Sequence, residues 1–446
     1  MSKKIVSRSA LYYLLCITSL LFISKLAISV DNEIIYSGPG DNKDGYESRD
    51  YVTKSLSINE RKGEKTNLIK YAEQSQLGLP KLKIPKNNPI TEKKIALGKK
   101  LFFDRRISLN NTMSCAMCHI PEQGFTNNEI RTAVGIEGRS NLRNAPTIIN
   151  SAYYKFLFHD AREYSLENQV WQPVLKHSEM GMPSFGFTVK KLELIPGYKN
   201  LFNDAFPGEG INVATFSKAI ASYERSLISA NSNFDKWYFG KNDKAVSAEV
   251  KKGFEVFIGK GNCVSCHSID NDHALFFDNK LHNTGVGYAD SMGLLIKNNK
   301  TVVQLAPGEY VEVDNNIIKS VNQQKKKNDL GLYDITENPD HRWMFKTPSL
   351  RNISLTSPYM HNGVFSSLDD VINFYNDGGV QNELLSPKIK KLNLSKAEKI
   401  NLKLFLESLV GENINILIAD ALFQTVGDLT KDDPNWANDK DMGYNK

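Results

Sequence analysis

Apolar residues recur at helical spacing over several stretches of this chain. Residues 249–258 and 214–228 each place their apolar side chains on one face, as an amphipathic helix does. Ser395 and Glu398 stand in a capping-box pattern immediately before another apolar stretch, which marks the start of a helix. The pattern therefore predicts a mainly α protein.

The N-terminus has a different pattern. Basic residues precede an apolar run at residues 10–23, and small residues follow at 27–29. That order is typical of a secretory signal, so we predict a signal peptide at 1–29 and a periplasmic location. An uncleaved membrane anchor is the alternative reading. Cys16 lies inside the apolar run and would be removed with the signal.

Length and charge narrow the class of protein. The chain has 446 residues, of which 41% are hydrophobic and 24% are charged, as in ordinary globular proteins. This length suggests two domains with separate cores, or three small ones. The net charge of +6 is spread among mixed acidic and basic residues. Because no basic stripe is interleaved with aromatic residues, nucleic acid is excluded as the expected partner.

The remaining cysteines carry the clearest chemical signal. They form two pairs, each separated by two residues and followed at once by a histidine: Cys115, Cys118 and His119, then Cys263, Cys266 and His267. This is the attachment signature of c-type haem, in which two thiols bond the vinyl groups and the histidine binds the iron. A thioredoxin-like pair would need one motif only, and a four-cysteine zinc site would leave both histidines unexplained.

The two motifs also organise the chain, because they lie 148 residues apart, one in each half. We predict two cytochrome c-like helical domains, each with one covalently bound c-type haem, with the haems near the domain interface. The predicted divisions are a signal peptide (1–29), an N-terminal arm (30–79), a first haem domain (80–240), a second haem domain (241–411) and a C-terminal tail (412–446). Residues 297–339 are charged and rich in Gly and Asn, which indicates a solvated insertion.

Further motifs lie before and after the haem signatures in a fixed order. They occupy residues 101–104, 143–147, 160–162, 345–352 and 355–363. In order and spacing the chain resembles the bacterial di-haem cytochrome c peroxidase family, which includes MauG. The resemblance covers roughly residues 80 to 410 and rests on several motifs together rather than on one.

The resemblance implies a role for each haem. The first haem would be the peroxide site, with Gln169, Pro173 and Glu179 over its distal face. The second haem would receive electrons from a small cytochrome c or a copper protein. Hydrogen peroxide would be the substrate, and a homodimer is the implied assembly.

The resemblance also implies one calcium ion between the haems. Its ligands would be the side chain of Asn144 and the backbone carbonyls of Thr356 and Pro358.

Elementary chemistry agrees with the role assigned to Glu179. Peroxide must lose a proton from one oxygen and gain a proton on the other as its O–O bond breaks. A carboxylate above the iron can move that proton if burial raises its pKa towards neutrality. Gln169 can orient peroxide by hydrogen bonding, and Pro173 can give the face a dry, narrow shape.

One departure from the family pattern concerns the first haem. Many members place a second histidine on this haem at rest, at a position that matches Ile136 here. No histidine lies between His119 and His159. We therefore expect this haem to be five-coordinate or water-bound, as small-ligand chemistry requires.

A second departure concerns the axial ligand of the second haem. Typical members have a methionine fourteen residues after His361, whereas this chain has Tyr375 there, as MauG does. A tyrosinate stabilises oxidised iron better than a thioether, so the potential should be low. The alternative is that Tyr375 packs in the core and Met344 or Met360 is the ligand.

A third departure lies between the haems, where the family usually has a tryptophan that relays electrons or holes. Here the position is His159, and histidine is the poorer hole carrier. This residue weakens the expectation of MauG-style sharing of oxidising equivalents.

Three functions remain open. The leading prediction is a peroxidase that reduces hydrogen peroxide to water. The alternative is a MauG-like enzyme that oxidises residues of a partner protein through high-valent haem iron, which Tyr375 favours and His159 weakens. A non-catalytic electron-transfer cytochrome is the third, and the distal residues argue against it.

Overall fold

The computed structural model describes residues 64–195, 197–294, 300–306, 309–314 and 328–423. The predicted signal peptide, residues 30–63 of the predicted arm and residues 424–446 of the predicted tail lie outside this set. Within the described residues, none of the helices has both the length and the apolar character needed to cross a bilayer.

Helices dominate both halves of the chain. Those of the first half are α1 (Ile69–Glu73), α2 (Glu92–Phe103), α3 (Leu166–Gln169), α4 (Trp171–Leu175), α5 (Phe185–Leu194), α6 (Tyr198–Ala205) and α7 (Val213–Ser226). Those of the second half are α8 (Asn233–Tyr238), α9 (Ala248–Ile258), α10 (Val286–Ser291), α11 (Tyr333–Thr336), α12 (Leu368–Asn376), α13 (Lys396–Glu407) and α14 (Ile414–Leu422). The predicted helices at 214–228, 249–258 and after Ser395 correspond to α7, α9 and α13, and the mainly α class is confirmed.

The strands are few and short. They are β1 (Leu281–His282), β2 (Lys300–Ala306), β3 (Glu309–Asp314) and β4 (Phe345–Lys346). β1 pairs with β4, and β2 pairs with β3, both antiparallel. The β2–β3 hairpin belongs to the predicted insertion.

One pair of crossed helices forms the framework of each half. In the first half α2 packs across α7, and a Cβ at Gly98 would overlap the backbone carbonyl of Ala219. In the second half α9 packs across α13, and a Cβ at Gly253 would overlap the carbonyl of Asn401. Both crossings are therefore close enough to require glycine.

Each crossing has its own apolar core. The first core includes Phe102, Phe216 and Tyr223, and the second includes Phe257 and Phe405. The helix α8 contributes to the second core, whereas α14 returns from the end of the chain to the first core. The domain limits at 240 and 411 stay predictions.

The second half repeats the first in detail over a segment 202 positions later. Pro146 and Pro348 begin the repeat, and a left-handed asparagine follows four residues later in each half, at Asn150 and Asn352. The 3₁₀ turn Ser151–Tyr153 recurs as Ile353–Leu355. The short bridge Leu157–Glu163 recurs as Tyr359–Phe365.

The two copies of this repeat contact each other symmetrically. The backbone N–H of Asn144 donates to the carbonyl of His361 at 2.8 Å, and that of Lys346 donates to the carbonyl of His159 at 2.7 Å. The two donors, Asn144 and Lys346, are 202 residues apart, and so are the two acceptors, His159 and His361. The repeated segments therefore meet about a pseudo-twofold axis between the two halves.

Candidate functional site

A cavity of about 2570 Å³ lies beside this axis, and both cysteine motifs line it. Pockets for a single small ligand usually measure about 300–1,000 Å³. The cavity is thus larger than one ligand requires, and its walls come from both halves of the chain.

The first motif occupies a 3₁₀ turn, Cys115–Met117, which brings both thiols to the cavity wall. Neither cysteine is in a disulfide, and burial raises the pKa of the Cys118 thiol to about 12. The ring of His119 bonds through Nδ1 to the carbonyl oxygen of Phe125, 3.2 Å away. Burial lowers the pKa of His119, so its imidazole is neutral and Nε2 is available as a ligand atom.

The second motif repeats this arrangement. It occupies the 3₁₀ turn Cys263–Ser265, and both cysteines are free. The Nδ1 atom of His267 bonds to the carbonyl of Phe276 at 2.8 Å. The two residues whose carbonyls accept these bonds, Phe125 and Phe276, adopt positive φ, at 57° and 55°.

These residues fit two c-type haems. Each motif presents two free thiols and one neutral imidazole whose Nδ1 is already oriented by a backbone carbonyl. A histidine that ligates a metal normally has this second partner, because it fixes the tautomer and the ring orientation. The prediction of haem attachment therefore agrees with the local geometry of both motifs.

Gln169 and Pro173 lie on the wall of the cavity near the first motif. Gln169 ends α3, and Pro173 lies in α4. Trp171 between them is buried against Phe185 and Phe216, with ring centroids 4.8 Å and 4.7 Å away. This packing fixes α4 against the helices behind it.

Glu179 follows in a turn that reaches the same wall. Its carboxylate is 25% exposed and pairs with the Lys176 ammonium at 2.9 Å. Its backbone carbonyl accepts from the N–H of Ile136 at 2.8 Å, and Ile136 itself is buried in the first core. The structure thus brings Gln169, Pro173 and Glu179 together with His119 around one cavity. Their catalytic roles stay predictions.

Tyr375 lies on α12 and lines the cavity beside the second motif. Burial raises the pKa of its phenol, and the sulfur atoms of Cys266 and Cys263 add to that effect when charged. Met344 and Met360 stand outside this helix, and Met360 also lines the cavity. The assignment of Tyr375 as ligand stays a prediction, and its position is compatible with it.

The internal repeat relates Tyr375 to Pro173. Each stands eight residues after a serine that caps a helix, Ser165 before Pro173 and Ser367 before Tyr375. The Oγ atom of each serine accepts from the backbone N–H three residues later. All of these positions are separated by 202 residues. The second half therefore has a phenol where the first half has a side chain with no ligand atom.

Polar residues fill the region between the motifs. The Nε2 atom of His159 bonds to the carbonyl of Asn144 at 3.1 Å, and burial lowers the pKa of His159 to about 4. Arg143 pairs with Asp160 and with Asp329, both at 2.6 Å. His361 stacks on Phe345 with centroids 3.6 Å apart, and burial lowers its pKa to about 3. These contacts make the boundary between the motifs a region of neutral histidines and paired charges.

The three predicted calcium ligands all line this cavity. The Asn144 Nδ2 donates to the carbonyl of Arg131 at 3.1 Å, and a Cβ at Gly124 would lie 3.2 Å from the methyl group of Thr356. Pro358 follows two residues later and lines the same cavity. Nearby, the amide of Asn362 is buried with neither its oxygen nor its nitrogen hydrogen-bonded within the described residues. This set of oxygen atoms is of the kind that calcium prefers.

His282 reaches the second motif from β1. Its Nε2 lies 2.8 Å from a carboxylate oxygen of Asp278, and it also contacts Cys266. These three side chains are close enough to bind a metal ion. Attachment of haem converts Cys266 to a thioether, however, which removes the thiolate that such a site would need.

Sequence reasoning missed two charged residues of the cavity wall, Glu224 and Lys346. Glu224 is 6% exposed, and burial raises its pKa to about 8. Burial lowers the pKa of Lys346 to about 7. For Glu224 the available signal was a likeness outside the 202-residue repeat: Tyr-Glu-Arg-Ser-Leu at the end of α7 resembles Phe-Leu-Glu-Ser-Leu at the end of α13, and it places Glu224 where the second half has Leu406.

Comparison with known proteins agrees with this geometry. A family model described as di-haem cytochrome c peroxidase matches residues 92–243, which include the first motif and the distal residues. The methylamine utilization protein MauG of Methylophilus methylotrophus is 34% identical over 335 residues, covering 74% of this chain and 87% of that protein. The cytochrome-c peroxidase IdrP1 of Pseudomonas sp. (strain SCT) is 34% identical over 333 residues, covering 74% and 84%.

A solved structure is similar along most of its length. The crystal structure of a MauG-like protein associated with microbial copper homeostasis has a TM-score of 0.62 at 28% identity, covering 77% of this chain and 97% of that chain. The match thus extends well beyond the residues that the family model covers.

Proposed function

This chain belongs to the di-haem cytochrome c peroxidase family, and from that premise we propose that it reduces hydrogen peroxide to water at the haem bound by Cys115, Cys118 and His119. Two c-type haems are the cofactors that the family implies. Electrons from a small cytochrome c or a copper protein are received by the second haem. The observation that carries the proposal is the single cavity, which both motifs share with Gln169, Pro173 and Glu179.

The distal side chains divide the work at the first haem. The haem supplies the iron that binds peroxide and the electrons that reduce it. Glu179 takes a proton from one peroxide oxygen and returns a proton to the other, so that two electrons and two protons give two molecules of water. Gln169 donates a hydrogen bond that orients peroxide, and Pro173 leaves the iron position free for it.

The difference between the two haems rests on one pair of repeat positions. Pro173 offers no ligand atom to the first haem, whereas Tyr375 offers a phenol oxygen to the second. A filled second haem suits electron transfer, and a first haem with a free position suits peroxide. The repeat supports this division because each residue stands eight positions after a serine that caps a helix, Ser165 or Ser367.

Calcium, export and assembly belong to the same proposal. A calcium ion would be held by the Asn144 side chain and the carbonyls of Thr356 and Pro358, which belong to different halves of the chain. Export to the periplasm by the signal at 1–29 gives access to a small redox protein, and the working unit is a homodimer.

A steady-state assay of the purified holoprotein tests the proposal. Reduced small cytochrome c is the donor, and its oxidation by peroxide is followed by absorbance. Glu179→Gln should lower kcat by about 10²- to 10⁴-fold, the usual contribution of general acid–base catalysis. An absence of donor oxidation in the parent protein, or full activity in Glu179→Gln, would contradict the proposal.

Glu137 offers a matched control, since it also lines the cavity but pairs with Arg139 on the surface. Glu137→Gln should keep the parent activity. The ultraviolet–visible and electron paramagnetic resonance spectra of both variants should show two haems, which separates a catalytic loss from a loss of cofactor.

A MauG-like oxidation of a partner protein is the second candidate, and Tyr375 is the observation that favours it. Two observations oppose it. His159 stands at the relay position, and the neighbouring Tyr154 has the Lys346 ammonium 3.1 Å above its ring centroid. A cation at that place makes removal of an electron from the ring harder. A near-infrared band after peroxide addition without donor would favour this second function over the first.

A further inference from the structure

Most basic side chains that line the cavity are paired with a carboxylate. The pairs are Arg131–Asp290, Arg139–Glu137, Arg143–Asp160, Arg143–Asp329, Arg162–Asp160, Lys176–Glu179, Lys218–Glu209 and, at 3.8 Å, Lys388–Asp278. Lys346 and Lys390 have no carboxylate partner within the described part of the chain. Lys390 is exposed to solvent, whereas Lys346 is half-buried.

Lys346 is fixed in place without an anion. Its backbone is held in β4, which pairs with β1, and its N–H bonds to the carbonyl of His159. Its ammonium faces the ring of Tyr154. Because a buried ammonium loses hydration that an aromatic face replaces only in part, burial lowers the pKa of Lys346 to about 7. Such a side chain is stabilised by any anion that enters the cavity beside it.

The position of Lys346 relates it to both haem motifs. In the sheet it stands opposite Leu281, next to His282, which contacts Cys266. Two residues later, the backbone of Pro348 faces His267. On its other side lie Tyr154 and His159 of the first half. The ammonium therefore lies at the boundary between the two haem sites.

A c-type haem brings anions to this cavity. Its vinyl edge is bonded to the cysteines, and its two propionates remain as carboxylates that need donors or cations. We propose that Lys346 binds a haem propionate through its ammonium at the boundary between the two haem sites. This proposal rests on the presence of the haems and not on turnover of peroxide.

Resonance Raman spectroscopy and redox titration of the holoprotein test this contact. In Lys346→Met the propionate bending band of one haem should shift, because that band responds to hydrogen bonding of the propionate. The midpoint potential of the same haem should fall, because loss of a nearby positive charge stabilises ferric iron. Lys346→Arg should restore both values towards those of the parent.

The haem whose band and potential change identifies which of the two supplies the propionate. Lys390→Met is the matched control, and it should leave both haems unchanged because its ammonium is already in solvent. Lys346→Gln is a second neutral variant in case Lys346→Met does not accumulate with both haems. Unchanged bands and potentials in a neutral variant that retains both haems would overturn the proposal, as would a shift that Lys346→Arg does not reverse. If the parent protein did not turn over peroxide but its Raman spectrum showed the propionate contact, only the proposed function would be contradicted.

Discussion

At the scale of single residues, chemical identity at a few repeat-related positions distinguishes the two haem sites. Pro173 and Tyr375 share a position in the 202-residue repeat, and Glu224 and Leu406 take similar places near the ends of α7 and α13. The side chains of Pro173 and Leu406 can neither bind a metal nor exchange a proton. Tyr375 has a phenol that can bind a metal, and Glu224 has a carboxyl group that can exchange a proton. Two predictions follow from these pairs.

The first concerns Tyr375. Tyr375→Met should raise the midpoint potential of the second haem by on the order of 100 mV or more, since axial ligands tune haem potentials over about 0.8 V. A redox titration followed by absorbance measures the change. Tyr164→Met is the control, because Tyr164 is 74% exposed and should leave both potentials unaltered. Identical potentials and spectra in Tyr375→Met would remove Tyr375 as the ligand.

The second concerns Glu224, whose pKa burial raises to about 8. Between the ordinary carboxyl pKa and this value, the folded protein binds a proton that the unfolded chain has released. The free energy of unfolding should therefore fall as pH rises from about 5 to about 8. In Glu224→Gln this fall should be smaller, as thermal unfolding of the holoprotein at both pH values can measure.

Glu209→Gln is the control for Glu224, because Glu209 is 51% exposed in its contact with Lys218. Its pH dependence should match that of the parent. If Glu224→Gln also followed the parent curve, the carboxyl would not be protonated in the folded holoprotein.

At the scale of elements, each half depends on one close helix crossing. The α2–α7 and α9–α13 crossings have a glycine where the backbones approach, Gly98 and Gly253. The first crossing supports the wall that carries Glu224, and the second carries Leu406. Helix separation would therefore change the cavity as well as the core.

Gly98→Ala tests the crossing. Its Cβ would overlap the carbonyl of Ala219, so α2 and α7 must separate, which costs about 1–3 kcal/mol of unfolding free energy. Gly186→Ala is the matched control, since Gly186 lies in α5 with open space around it and alanine favours helix. Urea unfolding of both variants measures the difference, and equal stability of the two would contradict the close crossing.

At the scale of the whole molecule, buried charges connect distant parts of the chain. Arg351 makes two 2.8 Å bonds to Asp235 in α8 and donates to the carbonyls of Gly78 and Ala274. Lys99 in α2 pairs with Asp420 in α14 at 2.9 Å. These contacts join the segment around Gly78 and the helix α14 to the rest of the structure.

Arg351→Met should destabilise the holoprotein by about 3–5 kcal/mol, because it leaves the buried carboxylate of Asp235 without its partner. Chemical denaturation measures this loss. Lys403→Met breaks an exposed pair with Asp369 and should cost less than about 1 kcal/mol. An equally small loss of unfolding free energy in both variants would show that the buried Arg351–Asp235 pair does not stabilise the fold.

The sequence by itself determined the chemistry that local spacing encodes. Two thiols and a histidine must be adjacent in the chain to hold one haem, so Cys115 to His119 and Cys263 to His267 are readable without a structure. The helices α7, α9 and α13 were readable for the same reason, since their apolar spacing is local. The positions of Gln169, Pro173 and Glu179 came from the family resemblance.

Only the tertiary structure decided which residues share the cavity wall. Three features depend on contacts between residues far apart in the chain. They are the absence of a carboxylate partner for Lys346 within the described residues, the burial of Glu224 and the packing of α14 on the first core. Burial and charge pairing are properties of those contacts, and no local spacing encodes them. The pseudo-twofold meeting of Asn144 with His361 and of Lys346 with His159 has the same origin.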